Sequence, residues 1–232
     1  MSRPQLRRFA DADSFGLAAA QHFLKVARQN LADKGSFSAA LSGGQGPLPF
    51  YSAMQAQPKT LPWSKVRLYW VDERWVPTSD PDSNYGSSNR LFLEPLDASA
   101  SARPINTALA SPQAGADDYA ARLQADFGAP LPAFDLCLLG MGPDGHTASL
   151  FPGSPSLEAK DCCLVTQHPQ SGQTRISLSL PALNASREVL FLVRGEEKEA
   201  LLQRIHGGPE PPTGLPAALV HGRGACTWLY TK

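Results

Sequence analysis

The residues with the clearest potential for catalysis lie in a short glycine-rich segment, Gly140-Met141-Gly142-Pro143-Asp144-Gly145-His146. It follows the apolar run 134–139, which is typical of a buried parallel strand. Glycines let backbone N–H groups approach a ligand closely, and an imidazole can move a proton near neutral pH. The next four residues, 147–150, are expected to open a helix, whose N-terminus would favour an anion. We interpret the segment as a catalytic loop; the alternative is a tight strand-to-helix connection with a capping histidine.

A second glycine turn, Ser42-Gly43-Gly44-Gln45-Gly46, follows the apolar run 37–41 and precedes helix-like spacing over residues 48–54. A strand, a glycine turn and a helix start suit an anion, because backbone N–H groups and the helix dipole point toward it. The turn lacks the Gly-x-Gly-x-x-Gly of dinucleotide sites, the Gly-Lys-Ser/Thr of P-loops and the Gly-x-Ser-x-Gly of hydrolases. Ser42, Gly43 and Gly44 are therefore predicted to contribute to a phosphate site, and a plain turn is the alternative.

Charged side chains at the ends of three further elements could complete an anion site. Asp72-Glu73-Arg74 ends the apolar run 66–71, and Arg175 begins the alternating run 175–180. Lys198 falls in the first turn of a predicted helix, where the dipole disfavours a cation unless an anion is bound. Arginine can hold a phosphate through two parallel hydrogen bonds. A local ion pair within the 72–74 loop is the alternative role for Arg74.

These residues are separated by alternating strand and helix patterns. Apolar runs predict strands at 37–41, 66–71, 134–139, 164–166, 175–180, 188–193 and 225–230. Helical spacing predicts a helix from a cap at Asp11 or Asp13 to Lys34, and further helices at 48–54, 84–93, 114–127, 195–205 and 215–220. This alternation predicts an α/β fold, a doubly wound, mostly parallel sheet with helices on both faces. Ligands bind beyond the carboxyl ends of such strands. No domain boundary is visible, so residues 1–232 are predicted to form one domain.

Composition limits the partners of the chain. Of its 232 residues 42% are hydrophobic, and the formal net charge is zero, which gives no electrostatic footprint for nucleic acid or a membrane surface. The four cysteines lack metal-ligand spacing, so they are predicted to be reduced and buried in a cytosolic protein. Neither a signal peptide nor a transmembrane segment is predicted. We expect a cytoplasmic monomer that acts on a small molecule and holds no metal.

Taken together, the motifs resemble the 6-phosphogluconolactonase family, within the glucosamine-6-phosphate isomerase-like superfamily. The resemblance rests on Ser42-Gly43-Gly44, on Asp72-Glu73-Arg74 with Ser83-Asn84, and on the segment from Gly140 to Pro152. Arg175-Ile176-Ser177-Leu178 and the Gly195 to Ala200 region are similar to later signatures, so the likeness spans nearly the whole chain. Family members usually read Ser-Gly-Gly-x-Thr-Pro, whereas this chain has Gly46 at the threonine position. A hydroxyl donor to the phosphate is therefore expected to be missing.

The resemblance implies a Rossmann-like fold similar to that of glucosamine-6-phosphate deaminase, and hydrolysis of 6-phospho-D-glucono-1,5-lactone in the oxidative pentose phosphate pathway. It implies His146 as the general base, with Asp144 orienting the imidazole or contacting sugar hydroxyls. The expected substrate- and phosphate-binding residues are Ser42, Gly43, Gly44, Asp72, Arg74, Gly142, Arg175 and Lys198. No metal or organic cofactor is implied.

Two alternatives stay open at this stage. Glucosamine-6-phosphate deaminases share the Ser-Gly-Gly and Asp-Gly-His segments, but they typically read Asp-Glu-Tyr where this chain has Asp72-Glu73-Arg74. They also keep a glutamate where this chain has Phe151. The other alternative is a non-catalytic sugar-phosphate sensor, which would gain little from an imidazole among glycines.

Overall fold

Strands and helices alternate along most of the chain. The structure, a computed structural model, describes residues 4–57, 61–208 and 212–232. Its strands are β1 (Gln5–Phe9), β2 (Phe37–Leu41), β3 (Val66–Trp70), β4 (Asp72–Arg74), β5 (Leu136–Leu139), β6 (Cys163–Gln167), β7 (Thr174–Leu178), β8 (Glu188–Arg194) and β9 (Cys226–Thr231). Its α-helices are α1 (Ala12–Lys34), α2 (Leu48–Gln55), α3 (Asn84–Ser88), α4 (Pro112–Phe127), α5 (Leu180–Asn184) and α6 (Glu199–Gly207). The pattern therefore predicted most of the elements at nearly the observed bounds.

Six of the strands form one parallel sheet in the order β1-β9-β8-β5-β2-β3. The β2–β3 pair runs in register from Phe37 opposite Val66 to Leu41 opposite Trp70. The predicted doubly wound, mostly parallel sheet is confirmed. β1 was not predicted, because its sequence Gln-Leu-Arg-Arg-Phe is polar; among the described strands it pairs with β9 alone, at the edge of the sheet.

Helices cover both faces of this sheet, and the strand side chains alternate between them. In β8, Leu190 and Leu192 pack in the cluster that contains α1 and α2, whereas Phe191 and Val193 pack with α4 and α6 on the other face. Strands buried on both sides explain why the sequence shows continuous apolar runs. The Asp11 carboxylate caps α1 by accepting from the Ser14 N–H at 2.7 Å, which decides between the two predicted caps.

A second, antiparallel sheet lies at the carboxyl edge of the first, in the order β4-β7-β6. Val71 links the two sheets, because its N–H donates to the Leu41 carbonyl and its carbonyl accepts from the Leu178 N–H. The strands β6 and β7 were predicted, but β4 was not, because its residues are all charged. The pairing sets Arg74 directly opposite Arg175, so two predicted anion-binding residues become neighbours.

At the amino ends of β2 and β5, a buried carboxylate holds neighbouring elements together. Asp135, just before β5, is fully inaccessible and accepts from the Ser38 N–H and hydroxyl, both at 2.9 Å. The Lys34 ammonium donates to the same carboxylate at 2.6 Å, and Arg187 lies 3.4 Å away. These contacts join α1, β2 and β5 far from the carboxyl ends of the strands.

The four cysteines are buried and free, as predicted. Among the described residues, no group of three or more histidine, cysteine or acidic side chains could hold a metal ion. Within the same ranges, no helix combines the length and the apolar character needed to cross a bilayer.

Candidate active site

The carboxyl ends of β2, β5 and β8 and the start of the small sheet surround one open cleft. The cleft is lined by an imidazole, three cationic side chains and the two glycine-rich segments. The lining residues are Ser42, Gly43, Gly44, Gln45, Gly46, Asp72, Arg74, Asn84, Gly140, Met141, Gly142, His146, Thr147, Ala148, Arg175, Leu192 and Lys198. Segments that are far apart in the sequence therefore meet at the edge where an α/β sheet binds ligands.

His146 is held by the carboxylate of Asp144 in the loop after β5. Asp144 Oδ1 lies 2.6 Å from the ring Nδ1 of His146 and accepts from the His146 backbone N–H at 3.1 Å. Partial burial opposes ionisation of Asp144, but the hydrogen bonds and the charge of His146 outweigh it and lower the pKa of the carboxyl. Because a carboxylate only accepts, the neutral imidazole carries its proton on Nδ1 and keeps a lone pair on Nε2. This is the arrangement of a general base.

Glycine at position 142 is a steric requirement of this pair. A Cβ at Gly142 would lie 2.2 Å from the His146 ring and 2.8 Å from Asp144 Oδ1. The Gly142 N–H also donates to the His146 carbonyl at 2.9 Å. The loop therefore folds tightly around the imidazole.

The helix predicted over residues 147–150 is wrong. These residues form a tight turn, in which the Leu150 N–H donates to the Thr147 carbonyl at 2.9 Å and Ala148 adopts a left-handed φ of 48°. The Thr147 hydroxyl donates to the Gly140 carbonyl at 2.8 Å and closes the loop on itself. Residues 147–150 therefore contribute no helix dipole at His146, whose ring contacts Asp144 and lies 4.9 Å from the Phe151 ring between centroids.

The Ser42 to Gly46 turn leads from β2 into α2, as predicted. The Tyr51 hydroxyl of α2 donates to the Ser42 carbonyl at 3.1 Å, and Gly44 has a left-handed φ of 79°. A Cβ at Gly43 would meet the Asn84 amide oxygen at 1.8 Å. Among the described residues, the backbone N–H groups of Gly43, Gly44 and Gly46 donate to no protein acceptor, so they are free to bind an anion.

Two adjacent acids position the part of the cleft wall that lies against this turn. Glu73 is buried and accepts from the N–H groups of Asn84 and Tyr85 and from the Ser83 hydroxyl. Burial raises the pKa of Glu73, and these backbone donors oppose the shift. Asp72 accepts from the Asn84 amide at 3.1 Å and from the Ser149 hydroxyl at 2.7 Å. Glu73 is thus a structural residue, whereas Asp72 and Asn84 line the cleft.

The two arginines of the small sheet face the cleft from neighbouring strands. The Arg74 guanidinium donates to the Asp82 carbonyl at 2.6 Å, so the ion pair within the 72–74 loop is not its observed contact. Arg175 is 8% exposed and lies over the Phe151 ring, 5.9 Å from its centroid. Burial lowers the pKa of Arg175, and the charge of Asp72 opposes the shift. Two arginines on paired strand positions that line one cleft favour a bound anion.

Lys198 supplies a third cation from the start of the segment that leads into α6. Its ammonium donates to the Arg194 carbonyl at 2.7 Å and lies 3.7 Å from the Glu197 carboxylate. Burial lowers the pKa of Lys198, and Glu197 opposes the shift. An ammonium has three donors, and the contacts within the described residues engage at most two of them, so Lys198, which lines the cleft, can also bind an anion.

A model of a known protein family matches most of this chain. The family model described as glucosamine-6-phosphate isomerases/6-phosphogluconolactonase matches residues 10–228. The chain belongs to this family. A 6-phosphogluconolactonase of Synechocystis sp. is 39% identical over 206 residues, which cover 87% of this chain and 85% of the relative.

Solved structures show the same relationship. The crystal structure of 6-phosphogluconolactonase from Thermotoga maritima matches with a TM-score of 0.86 and 27% identity, over 99% of this chain and all of the other. A monomeric glucosamine-6-phosphate deaminase matches with a TM-score of 0.82 and 18% identity over 98% of this chain and 97% of the other, and this likeness concerns the fold alone. Both branches of the family thus share the fold of this chain.

Most of the site residues predicted from the sequence lie around this one cleft. Nine of the ten line the cleft: Ser42, Gly43, Gly44, Asp72, Arg74, Gly142, His146, Arg175 and Lys198. The tenth, Asp144, does not line the cleft but contacts the imidazole. Sequence reasoning missed Asn84, whose only signal was its place beside Ser83 in a family motif, and Leu192, whose apolar side chain carries no signal.

Proposed function

We propose that the chain hydrolyses 6-phospho-D-glucono-1,5-lactone to 6-phospho-D-gluconate, the second step of the oxidative pentose phosphate pathway. One observation carries the proposal: an imidazole fixed by a carboxylate lines the same cleft as three cations and a turn with free N–H groups. The substrate has matching parts, a carbonyl that water attacks and a phosphate that cations bind. The relatives named 6-phosphogluconolactonase support the same reaction.

In the proposed mechanism His146 acts as base and then as acid. Its Nε2 takes a proton from a water molecule, whose oxygen forms a bond to the lactone carbonyl carbon. The carbonyl electrons move onto the oxygen, and they return as the bond to the ring oxygen breaks. The imidazolium then gives its proton to that ring oxygen, so a single group serves both steps. Asp144 holds the ring in the tautomer that the first step needs.

The remaining cleft residues bind the substrate and hold the developing oxyanion. We propose that Arg74, Arg175 and Lys198, with the N–H groups of Gly43 and Gly44, hold the phosphate. Backbone N–H groups of the two glycine segments, or a cationic side chain, stabilise the tetrahedral oxyanion. Binding the remote phosphate keeps the carbonyl beside its attacking water, and this positioning lowers the barrier. Ser42, Asp72 and Gly142 complete the substrate-binding wall in this proposal.

We further propose that residues 1–232 form one domain that acts as a cytoplasmic monomer. The cleft is built from residue 42 to residue 198, so neither half of the chain supplies it alone. One chain provides every group that the mechanism uses. Free, buried cysteines suit a reducing compartment. Sedimentation of the purified protein tests the monomer.

The decisive experiment is the His146→Ala variant, assayed for lactone hydrolysis against the spontaneous reaction. We expect kcat/KM to fall by about 10²–10⁴-fold, the usual share of general acid–base catalysis. His221→Ala is the matched control, because His221 does not line the cleft. Near-normal turnover in His146→Ala would remove the imidazole from the mechanism.

The phosphate assignment is tested by comparing phosphorylated and plain gluconolactone in Arg74→Ala. We expect KM for the phosphorylated substrate to rise while activity on the plain lactone is retained. Equal loss of both activities would show that Arg74 does not bind the phosphate. Ammonia release from glucosamine 6-phosphate would favour the deaminase reaction, and binding of 6-phosphogluconate without turnover would favour a sensor.

A further inference from the structure

The glycine turn of the cleft lies against the end of β8 more closely than a side chain would allow. A Cβ at Gly46 would meet the Leu192 carbonyl oxygen at 2.4 Å, a separation at which something must shift. A side chain at position 46 therefore has no room in the observed arrangement. Contacts from elsewhere in the chain, rather than a side chain at position 46, must therefore hold the turn in place.

Arg194, the last residue of β8, makes that contact. Its Nη1 donates to the Gln45 carbonyl, in the centre of the turn, at 3.1 Å. Its own carbonyl accepts from the Lys198 ammonium at 2.7 Å. One residue therefore bonds both to the glycine turn and to Lys198, a cation that lines the same cleft.

The turn has few other restraints. Three of its residues are glycines, which lose more backbone freedom on ordering than any other residue. At Gln45 the other hydrogen bond is a long one, 3.4 Å from the Leu48 N–H to the same carbonyl. The free N–H groups of Gly43, Gly44 and Gly46 keep their direction only while the turn keeps its shape. A guanidinium anchored on a strand can supply that restraint.

We propose that Arg194 is a positioning residue for the phosphate end of the cleft, holding the glycine turn and Lys198 in register with each other. It restrains the turn from β8, at a place where a side chain at position 46 would not fit. The inference rests on the proposed function for the identity of the anion. Arg194 does not line the cleft, so it acts through Gln45 and Lys198 rather than on the reacting atoms.

The test uses Arg194→Ala, Arg194→Lys and, as a matched control, Arg204→Ala, which removes an exposed arginine from α6. Losing a hydrogen bond from a charged donor should raise KM for the phosphorylated lactone about tenfold, with kcat little changed. Activity on plain gluconolactone should stay the same. Arg194→Lys keeps a charged donor and should recover part of the loss, whereas Arg204→Ala should behave as the wild type.

Calorimetric binding of 6-phosphogluconate separates this inference from the proposed function. Weaker binding by Arg194→Ala, with wild-type binding by Arg204→Ala, supports the inference even if the wild type shows no lactone hydrolysis. Equal binding by the two variants overturns it even if the wild type is an active lactonase. Equal loss of activity on both lactones also overturns it, because damage would then not be confined to the phosphate end.

Discussion

The pair formed by Asp144 and His146 allows a quantitative prediction. Replacing Asp144 by alanine removes the acceptor 2.6 Å from the imidazole Nδ1 and 3.1 Å from the His146 N–H. A hydrogen bond to a charged group contributes about 1.5–3 kcal/mol. The Asp144 side chain is 44% exposed, so water weakens the interaction toward the lower limit. About 1.5 kcal/mol corresponds to a loss of about tenfold in kcat/KM.

The assay is lactone hydrolysis by Asp144→Ala, His146→Ala and the double variant, corrected for the spontaneous rate. If Asp144 acts only by orienting the imidazole, its removal should cost nothing further once His146 is absent. The double variant should then match His146→Ala, although each single change is harmful. Alanine at the exposed Asp161, on the loop before β6, is the matched control and should leave kcat/KM unchanged.

Two results would refute this reasoning. If the losses of the two single variants multiply in the double variant, Asp144 acts independently of His146, for example on a sugar hydroxyl. If Asp144→Ala retains full activity, the 2.6 Å contact does not fix the base.

Three further predictions follow from other parts of the structure. Gly142→Ala should reduce kcat/KM by about a hundredfold or more without unfolding the protein, because its Cβ would displace the His146 ring; circular dichroism checks the fold. Burial lowers the pKa of Lys198, so as pH rises through that value its charge is lost and calorimetric affinity for 6-phosphogluconate should fall, but not in Lys198→Arg. Asp135→Ala leaves the Ser38 donors buried without an acceptor, and should lower the free energy of unfolding by about 3 kcal/mol in a denaturant titration while activity is retained.

The sequence was most informative where local and global signals agree. The run 134–139, the glycines after it and His146 together predicted β5 and a loop at the ligand-binding edge, since a parallel sheet requires strands to end there. The start of α1 could be narrowed to Asp11 or Asp13 for the same reason, because capping is a contact between residues close in sequence. Elements of this kind can be predicted because the residues that determine them are close together in the sequence.

The remaining features depend on contacts between distant residues. β4 is Asp-Glu-Arg, which has no strand signature, and it is extended because β7 pairs with it a hundred residues later. The expectation of a helix at 147–150 failed because the Thr147 hydroxyl and the turn to Leu150 compete with the first helical turn. The role of Asn84 depends on Asp72 and on the missing Cβ at Gly43, neither of which is near it in sequence.

The turn after His146 also determines which charged groups lie beside the imidazole. A helix start at residues 147–150 would have placed positive potential beside the imidazole. The observed turn instead leaves the Asp144 carboxylate 2.6 Å from Nδ1, where it accepts the ring hydrogen bond and leaves the Nε2 lone pair for the proposed attack on water. The cations that line the cleft come from other segments, β4, β7 and the region before α6. The acceptor that orients the proposed base and the cations proposed to hold the phosphate are therefore separate, so either set can be changed by mutation while the other is kept.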